Sequence, residues 1–344
     1  MQVEFRIIRQ LPPAPPTVQS YHLDIDPKLT ILDGILRLKA EQDGTLAFRK
    51  NCRNMICGSC AMRVNGQAGL ACQQHIEEAL QDGVITLAPL GNLPVVKDLV
   101  VDMADFWDNL ERVDPFVSPA SRQLPEREFR QLPAQRDPLN AASNCILCGA
   151  CYSDCQSRAA NPQFVGPHAL AKANRLIKDN RDGQGKRRVR FLNSGSGVWG
   201  CTRCQNCAVV CPMGVEPLEQ ITQIKQDILA SYRFSRNPVV KASRAVRHRL
   251  LLVALVRQGG WIDERRFGVE VMANQGRDLP GLLGLAPLGI RLLRRGKFPL
   301  RFEASTGTAT VQKLIDLVRA SQTEETGAAG SLEANAGAEE SVDN

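Results

Sequence analysis

Eight cysteines between residues 145 and 211 fall in two runs with the same spacing. Each run has the form C-x2-C-x2-C-x3-C, and Pro212 follows the second. The first run is Cys145, Cys148, Cys151 and Cys155, and the second is Cys201, Cys204, Cys207 and Cys211. Thiolates at this spacing hold iron–sulfur clusters, with three cysteines of each run on one cluster and the fourth on the other. The pattern therefore predicts two cubane-type clusters.

The spacing has a geometric reason. Cysteines three apart on a chain that winds into a helix point to one side, so three thiolates converge on one cubane while the fourth reaches its neighbour. Structural zinc is the alternative because C-x2-C pairs also bind zinc, but a zinc site needs only two pairs. We define the first thiol group, predicted to bind a 4Fe-4S cluster, as Cys145, Cys148, Cys151 and Cys211. The second thiol group is Cys155, Cys201, Cys204 and Cys207.

A third set of cysteines lies nearer the start of the chain. We call it the N-terminal cysteine motif, and its members are Cys52, Cys57, Cys60 and Cys72. C-x4-C-x2-C with a distant fourth cysteine is the plant-type ferredoxin spacing for a 2Fe-2S cluster. Gly58 and the small Ser59 allow the loop backbone to close over the cluster and direct amide hydrogens at its sulfurs. Four reduced core cysteines are the alternative, which the regular spacing disfavours.

Length and composition limit the class of protein. The chain has 344 residues, enough for two or three domains, and 12 cysteines. Every cysteine belongs to one of the three sets, which favours metal binding in a reducing compartment over disulfides. Met1–Gln10 alternates like a strand and lacks the apolar region of a signal peptide. The longest fully apolar run, Leu250–Val256, is too short for a transmembrane helix, so we expect none.

Residues 1–110 are predicted to form a small domain of mixed strands and helices. A strand carrying Val3, Phe5 and Ile7 is predicted to pair with Val18–Ile25 across a proline-rich turn. The other expected elements are a helix capped by Thr30 and carrying Ile31, Ile35 and Leu38, a closing strand at Val84–Leu87, and helical periodicity over Leu99–Leu110.

The rest of the cysteine-bearing chain divides by composition. Residues 111–138 are rich in proline and are predicted to be a surface connector. Residues 139–232 are predicted to be mostly helical, with helices that begin near His168 and at Pro217. Because the cysteines complete every site, we expect His168 to be a surface residue and not a ligand.

The net charge of +7 is unevenly distributed. Residues 233–301 carry about +11 and include the apolar stretches Leu250–Val256 and Leu282–Leu293. We expect a basic amphipathic extension that lies on an anionic bilayer or docks on an acidic partner, the alternative being a plain solvated helix face. With few aromatic residues and no recognised motif, the segment does not predict nucleic-acid binding. Residues 302–344, at about −6, are predicted to be a largely disordered acidic tail.

The order of these motifs resembles a known family. A plant-type 2Fe-2S domain followed by a bacterial-type two-cluster domain is similar to the iron–sulfur subunit of succinate dehydrogenase and fumarate reductase. The similarity covers residues 1 to about 232 and includes Cys52–Gly66, Val96–Met103, Asn144–Cys148, Gly166-Pro167 and Asn180–Asp182. It implies an α+β fold class, in which a β-grasp 2Fe-2S ferredoxin domain is followed by an all-α ferredoxin domain with two clusters.

The resemblance also implies a role in electron transfer. In this family a flavoprotein partner that carries FAD oxidises succinate or reduces fumarate, and the iron–sulfur subunit relays electrons between that partner and quinone. The implied partners are the flavoprotein subunit and either a membrane anchor or an alternative quinone-side subunit. This chain would be peripheral, on the cytoplasmic side of the membrane, and would hold no catalytic residue of its own.

The chain departs from the family around its third cluster. The usual member has a non-cysteine residue where Cys204 stands and holds a 3Fe-4S cluster there. The extra cysteine predicts a second 4Fe-4S cluster, or a 3Fe-4S cluster if Cys204 is not a ligand. Family residues that line the quinone pocket are replaced by Gln156, Ala159, Ala160 and Thr202. Ser157 and Lys225 match that pocket, which implies that part of a quinone site is retained.

Three hypotheses for the function follow. The first is the electron-transfer subunit of a quinone-linked succinate dehydrogenase or fumarate reductase, an oxidoreductase complex. The second is the same role in another flavin-dependent dehydrogenase, such as a thiol-driven fumarate reductase or a 2-hydroxy-acid oxidase, because the extra cysteine and basic extension resemble variant members. The third is a zinc-stabilised structural module, which would be colourless where an iron–sulfur protein is brown.

Overall fold

The structure of the chain, a computed structural model, describes residues 1–119, 128–233, 242–298, 301–318 and 320–321. The chain forms two compact units, Met1–Ile228 and Leu229–Asn344. All twelve cysteines lie in the first unit, so the two predicted ferredoxin domains pack together as one body.

The first unit begins with a five-stranded mixed sheet. Its strands are β1 (Gln2–Arg9), β2 (Thr17–Asp24), β3 (Ala61–Val64), β4 (Gln67–Leu70) and β5 (Val84–Ala88). The spatial order is β2-β1-β5-β3-β4, with β1 antiparallel to β2 and parallel to β5. Alternation along β1 buries Val3, Phe5 and Ile7 on one face. The predicted strand pair and closing strand are confirmed.

A helix covers the buried face of this sheet. Helix α1 (Ile31–Glu41) begins at Thr30, whose hydroxyl accepts a hydrogen bond from the Asp33 amide at 3.2 Å in a capping box. Gly34 on α1 faces β1 so closely that a Cβ there would lie 2.8 Å from the ring of Phe5. Together with the short helix α2 (Ile76–Ala79), the arrangement is the predicted β-grasp domain.

The end of this domain differs from the sequence prediction. Two short strands, β6 (Val95–Lys97) and β7 (Val100–Val101), pair with each other, and helix α3 (Ala104–Glu111) begins only after them. The helical periodicity expected from Leu99 therefore holds only from Ala104, because the backbone of the preceding residues is used in the strand pair.

The rest of the first unit is helical, as predicted. Its helices are α4 (Pro133–Arg136), α5 (Asn140–Ser143), α6 (Ala150–Ser153), α7 (Gln156–Ala160), α8 (Pro167–Ile177), α9 (Gly185–Leu192), α10 (Asn206–Val209) and α11 (Pro217–Arg233). Short 3-10 turns occur at Asp137–Leu139 and Val198–Gly200. The predicted connector, residues 111–138, thus ends in helix α4, and its residues 120–127 lie outside the described ranges.

Polar contacts join the sheet domain to the helical domain. The side-chain amide of Asn92 donates to the carbonyl oxygens of Tyr152, Ser153 and Cys155 at 2.8, 3.0 and 3.0 Å. The guanidinium of Arg158 is buried and contacts the carboxylate of Asp105 at 2.8 Å. The residues of the helical domain that make these contacts include Cys155 and neighbours of the cysteines in the chain. The contacts therefore hold the cluster-binding segment of the helical domain against the sheet domain.

His168 is buried, and its prediction as a surface residue was wrong. The imidazole stacks on Phe106 with ring centroids 3.9 Å apart, and its Nε2 donates to the Phe106 carbonyl at 2.9 Å. Sequence position near a helix start does not reveal burial, because α8 packs against α3 of the other domain. Burial lowers the pKa of His168 to about 3, so the side chain is neutral.

The second unit is also helical. Its elements are α12 (Arg244–Gly259), α13 (Glu264–Arg266), a π-helical turn (Phe267–Met272), α14 (Leu279–Arg294) and α15 over residues 308–318. Arg247 is buried and bonded to Asp278 at 2.6 Å. The described ranges contain no helix that is both long and apolar enough to cross a bilayer.

Part of the predicted disordered tail is helical. Residues 308–318 form α15, in which Asp316 pairs with Arg257 at 3.0 Å and Gln312 donates to the Arg257 carbonyl. The expectation of disorder over residues 302–344 is therefore wrong for α15. Residues 322–344 of the predicted tail lie outside the described residues.

Candidate metal centres

The loop of the N-terminal cysteine motif folds around the Cys52 sulfur. The amides of Asn54, Ile56 and Cys57 donate to it at 3.3, 3.4 and 3.3 Å. This convergence requires left-handed backbone, which occurs at Arg53, Met55 and Gly58. Successive amides aimed at one point form an anion-binding concavity, which suits thiolates and cluster sulfides.

Two cysteines of this motif have shifted acidity. Burial by itself would raise the pKa of the Cys57 thiol. Hydrogen bonds from the Ser59 hydroxyl and from backbone amides outweigh this effect and lower the pKa to about 6. Burial raises the pKa of Cys60 to about 12, and the neighbouring Cys72 thiol adds to the increase. The motif therefore offers a readily ionised Cys57 thiol and a buried Cys60 thiol that a bound metal would deprotonate.

The two long cysteine runs have the same backbone conformation. After the first cysteine of each run, the second and fourth residues have positive φ: Leu147 and Gly149 in one, Arg203 and Gln205 in the other. Each run then enters a single helical turn, α6 or α10. The repeated spacing in the sequence is therefore a repeated loop, which turns three thiols of each run to one side.

The first thiol group brings Cys211 to the first run. Burial, together with the nearby thiols of Cys145 and Cys211, raises the pKa of Cys148 to about 11. The four cysteines line one pocket, with apolar neighbours that include Met213. The amide of Val215 donates to the Cys211 sulfur at 3.4 Å. A partly enclosed, apolar cavity with four thiols and an amide donor suits a cubane cluster.

The second thiol group brings Cys155 to the second run. Burial, together with the nearby thiols of Cys201, Cys155 and Cys204, raises the pKa of Cys207 to about 12. Burial also raises the pKa of Cys155, whose sulfur accepts a hydrogen bond from the Arg158 amide at 3.4 Å. Cys204, the position that departs from the family, thus lies near the Cys155 and Cys207 thiols.

The residues present fit iron–sulfur clusters. Across the described ranges, no three His, Cys, Asp or Glu side chains converge closely enough to hold a single metal ion. In the first thiol group the sulfurs are spaced around a cavity, and four thiolates set around a volume are the donor arrangement of a multi-iron cluster.

The first two sites meet at the domain boundary. A Cβ on Gly58 would lie 2.9 Å from both Cα and Cβ of Cys148, and 3.2 Å from the Ile146 carbonyl oxygen. Only a glycine allows the N-terminal loop to approach the first run this closely. The first and second thiol groups are also adjacent, because Cys151 of the first lies in the short helix α6 and Cys155 of the second follows the end of that helix.

Ser157 and Lys225 lie on opposite sides of the start of the second run. The Ser157 hydroxyl accepts a hydrogen bond from the Thr202 amide at 3.2 Å, and the Lys225 ammonium donates to the Cys201 carbonyl at 3.2 Å. The same ammonium lies 5.7 Å from the centre of the Trp199 ring. Both side chains are buried, so the structure brings them near the second thiol group.

Some features of the site were not recognised in the sequence. The contact of Gly58 with Cys148 and the three hydrogen bonds of Asn92 join segments that are distant in the sequence, and no local pattern indicates them.

The sequence pattern G-x-G-x-x-G, which is typical of dinucleotide-binding loops, occurs at Gly195–Gly200, but here it connects α9 to a 3-10 turn. A dinucleotide loop instead connects a strand to a helix, so this segment is not one.

Comparisons with known proteins agree with these sites. Residues 4–108 match the family model described as a 2Fe-2S iron–sulfur cluster binding domain, and residues 141–215 match the one described as a 4Fe-4S dicluster domain. The two matches cover the N-terminal cysteine motif and both long runs, respectively. The chain therefore has the domains of a 2Fe-2S and a 4Fe-4S protein.

Iron–sulfur subunits of known enzymes match about two thirds of the chain. The fumarate reductase iron–sulfur subunit of Haemophilus influenzae is 36% identical over 231 residues, covering 64% of this chain and 90% of that protein. The Mycobacterium tuberculosis fumarate reductase iron–sulfur subunit is 39% identical, covering 61% and 85%. A mitochondrial succinate dehydrogenase iron–sulfur subunit of Oryza sativa is 39% identical, covering 64% and 80%.

A solved structure shares the fold. A chain of the Mycobacterium smegmatis Sdh1 complex in the apo form superposes with a TM-score of 0.62 at 24% identity. The superposition covers 68% of this chain and 98% of that one. About a third of this chain therefore lies outside the fold the two have in common.

Proposed function

Because this chain belongs to the family of iron–sulfur subunits of succinate dehydrogenase and fumarate reductase, we propose that it relays electrons between a flavoprotein and a membrane-side acceptor. The observation that supports the proposal is the row of three thiol sets within one unit. Gly58 contacts Cys148 between the first two sets, and α6 links the next two. When bound, iron–sulfur clusters supply one-electron carriers whose potentials depend on hydrogen bonds and solvent exposure.

The ligands in this proposal are the three sets of cysteines. The N-terminal cysteine motif holds the 2Fe-2S cluster, and the first thiol group holds a 4Fe-4S cluster. The second thiol group holds a second 4Fe-4S cluster, with Cys204 as the ligand that family members lack. The grouping of Cys155 and Cys204 near Cys207 supports this assignment.

The protein groups around the sulfurs set the properties of these carriers. Backbone amides and the Ser59 hydroxyl donate to sulfurs of the N-terminal motif, which favours the more negative, reduced state. The apolar cavity of the first thiol group has fewer such donors among the described residues. The chain thereby provides positions and potentials, while substrate chemistry belongs to its partner.

The proposed partners are an FAD-bearing succinate dehydrogenase subunit and, on the other side, a membrane anchor or an alternative quinone-side subunit. The chain would be peripheral to the membrane, on its cytoplasmic side. Ser157 and Lys225 would form the retained part of a quinone pocket beside the second thiol group. Their hydrogen bonds to residues 201 and 202 support a location at the third cluster.

A second candidate is the same role in another flavin-dependent dehydrogenase, such as a thiol-driven fumarate reductase or a 2-hydroxy-acid oxidase. The observation that favours it is the changed surroundings of the third cluster. Besides Cys204, the family's quinone-pocket residues are replaced by Gln156, Ala159, Ala160 and Thr202.

Electron paramagnetic resonance tests both candidates. The complex is purified with its native partners, and spectra are recorded as isolated and after addition of succinate. We expect succinate to reduce the 2Fe-2S centre, and no oxidised 3Fe-4S signal beforehand. Clusters that ignore succinate would assign the chain to another dehydrogenase, and a strong 3Fe-4S signal would exclude Cys204 as a ligand.

A further inference from the structure

Helix α14 exposes a row of large apolar side chains to solvent. They are Leu279, Leu282, Leu283, Ile290 and Leu293, with exposed fractions between 47% and 70%. Their spacings of three, four and seven residues place them on one side of the helix. A row of this length is more than the scattered apolar residues that a soluble surface normally carries.

This apolar row is not the side by which α14 packs on its own unit. The inward stripe contains the buried Gly281, whose Cβ position would meet the Met272 carbonyl. It continues with Leu285, whose side chain approaches Gly268, and with Gly289 next to the Phe298 ring. The exposed row is therefore additional to the packing stripe.

A cluster of cations follows directly at the carboxyl end of the row. Its members are the exposed Arg291, Arg294, Arg295 and Lys297. Within the described residues none of the four pairs with a carboxylate, and the sequence has no acidic residue between Asp278 and Glu303. By contrast, two other exposed arginines of the unit are paired: Arg257 with Asp316, and Arg266 with Glu270.

These features fit a lipid surface. Helix α14 has 16 residues, about 24 Å at 1.5 Å per residue, which is shorter than the roughly 30 Å hydrocarbon core of a bilayer. A helix that cannot span but exposes leucines beside arginines lies in the interface, with leucines among acyl chains and guanidinium groups at phosphates. We propose that Leu279–Lys297 is an in-plane element that binds an anionic phospholipid bilayer.

A bilayer explains both halves of this surface at once. Its layered structure places anionic phosphates next to hydrocarbon, so the leucine row can enter the hydrocarbon while the unpaired cations beside it contact the phosphates. The inference deepens the membrane-side location given under the proposed function. It does not depend on which acceptor receives the electrons.

The test is flotation of the full-length, cluster-loaded chain with vesicles. We expect binding to vesicles of phosphatidylcholine with phosphatidylglycerol, and much weaker binding to phosphatidylcholine alone. Each basic residue at an anionic surface strengthens binding by roughly fivefold, so the double variant Arg294→Gln, Arg295→Gln should bind about 25-fold more weakly. Leu283→Glu should weaken binding by at least a similar factor.

Matched variants separate this surface from general charge attraction. Arg265→Gln with Arg266→Gln removes the same charge from cations that already pair with Asp263 and Glu270, and should stay within about twofold of wild type. Leu11→Glu changes a leucine of comparable exposure in the sheet domain and should bind like wild type.

Three outcomes would overturn the inference. The first is absence of binding to anionic vesicles, and the second is an equal loss in the two double arginine variants. The third is vesicle binding that survives Leu283→Glu while self-association in ultracentrifugation is lost, which would assign the row to a second copy of the chain. Succinate-dependent spectra of the clusters test the electron relay separately, so the two proposals can fail independently.

Discussion

Gly58 and Cys148 are in direct contact across the boundary between the sheet domain and the helical domain. Gly58 has a φ of +69°, and its missing side chain leaves room for the Cys148 backbone, which a Cβ would approach to 2.9 Å. One residue thereby satisfies two demands, the left-handed turn of the N-terminal loop and the short separation between two cluster sites.

Gly58→Ala should disturb both sites that meet at this contact. Gly66→Ala is the matched control, because Gly66 also has positive φ, +85°, but has no atom within 4 Å of its Cβ position. The control should lose about 1 kcal/mol from backbone strain, a fall in Tm of about 2–4 °C. Gly58→Ala should lose more and alter the paramagnetic spectra of the 2Fe-2S and first 4Fe-4S centres. Equal losses of stability in the two variants would mean that the contact between Gly58 and Cys148 contributes nothing beyond the backbone strain.

Ser59→Ala should lower the midpoint potential of the 2Fe-2S centre. The Ser59 hydroxyl lies 2.8 Å from the Cys57 sulfur, and a hydrogen bond to a thiolate stabilises the more negative, reduced state. A redox titration followed by paramagnetic resonance measures the shift. Ser59→Thr keeps the hydroxyl and should restore the potential, whereas a hydroxyl without influence would leave all three proteins alike.

Cys204→Ser should change the third centre alone. Cys204 lies with the Cys155 and Cys207 thiols, distant in sequence from the N-terminal motif, so its loss removes one ligand of one site. We expect a 3Fe-4S signal to appear in the oxidised protein, or that centre to be lost, with the 2Fe-2S signal unchanged. Loss of the 2Fe-2S signal would refute the assignment of ligands.

Stability should depend on pH through His168. Burial lowers its pKa to about 3 in the folded protein, whereas an unfolded histidine has a pKa near 6.5. As the pH falls below about 6.5, the unfolded chain takes up a proton that the folded chain does not, so this contribution to stability is lost.

His168→Gln removes this titration and keeps a donor for the Phe106 carbonyl. The stability of the wild type relative to this variant should decline by up to about 1.4 kcal/mol per pH unit below pH 6.5. Denaturant midpoints of both proteins, measured between pH 8 and pH 5, provide the comparison. Any effect of acid on the clusters is common to both proteins and disappears from the difference between them. A difference independent of pH would mean that His168 has the same pKa in the folded and unfolded protein, and would contradict this prediction.

The elements that sequence predicted correctly are those set by short-range patterns. The alternation of Val3, Phe5 and Ile7, the Thr30 cap and the cysteine spacings each depend on residues within a few positions of one another. The repeated C-x2-C-x2-C loops are the strongest case, because the positive φ at Leu147 and at Arg203 recurs with the spacing.

The elements that sequence missed depend on long-range contacts. His168 has the surroundings of a surface residue in the sequence, and only the packing of α8 against α3 buries it. Residues 99–103 have helical periodicity, but pairing of β6 with β7 determines their backbone. Residues 308–318 were predicted to be disordered from composition, yet a pair between Asp316 and Arg257 joins α15 to α12.

The position of Cys211 beside the first run has a consequence for the order of synthesis. A ribosome releases the chain from its amino end, and domains generally fold in that order. The N-terminal motif is complete once Cys72 has emerged, so its site can mature early. The second thiol group is complete at Cys207 and the first only at Cys211, so the run made first is the last to obtain its full set of thiols.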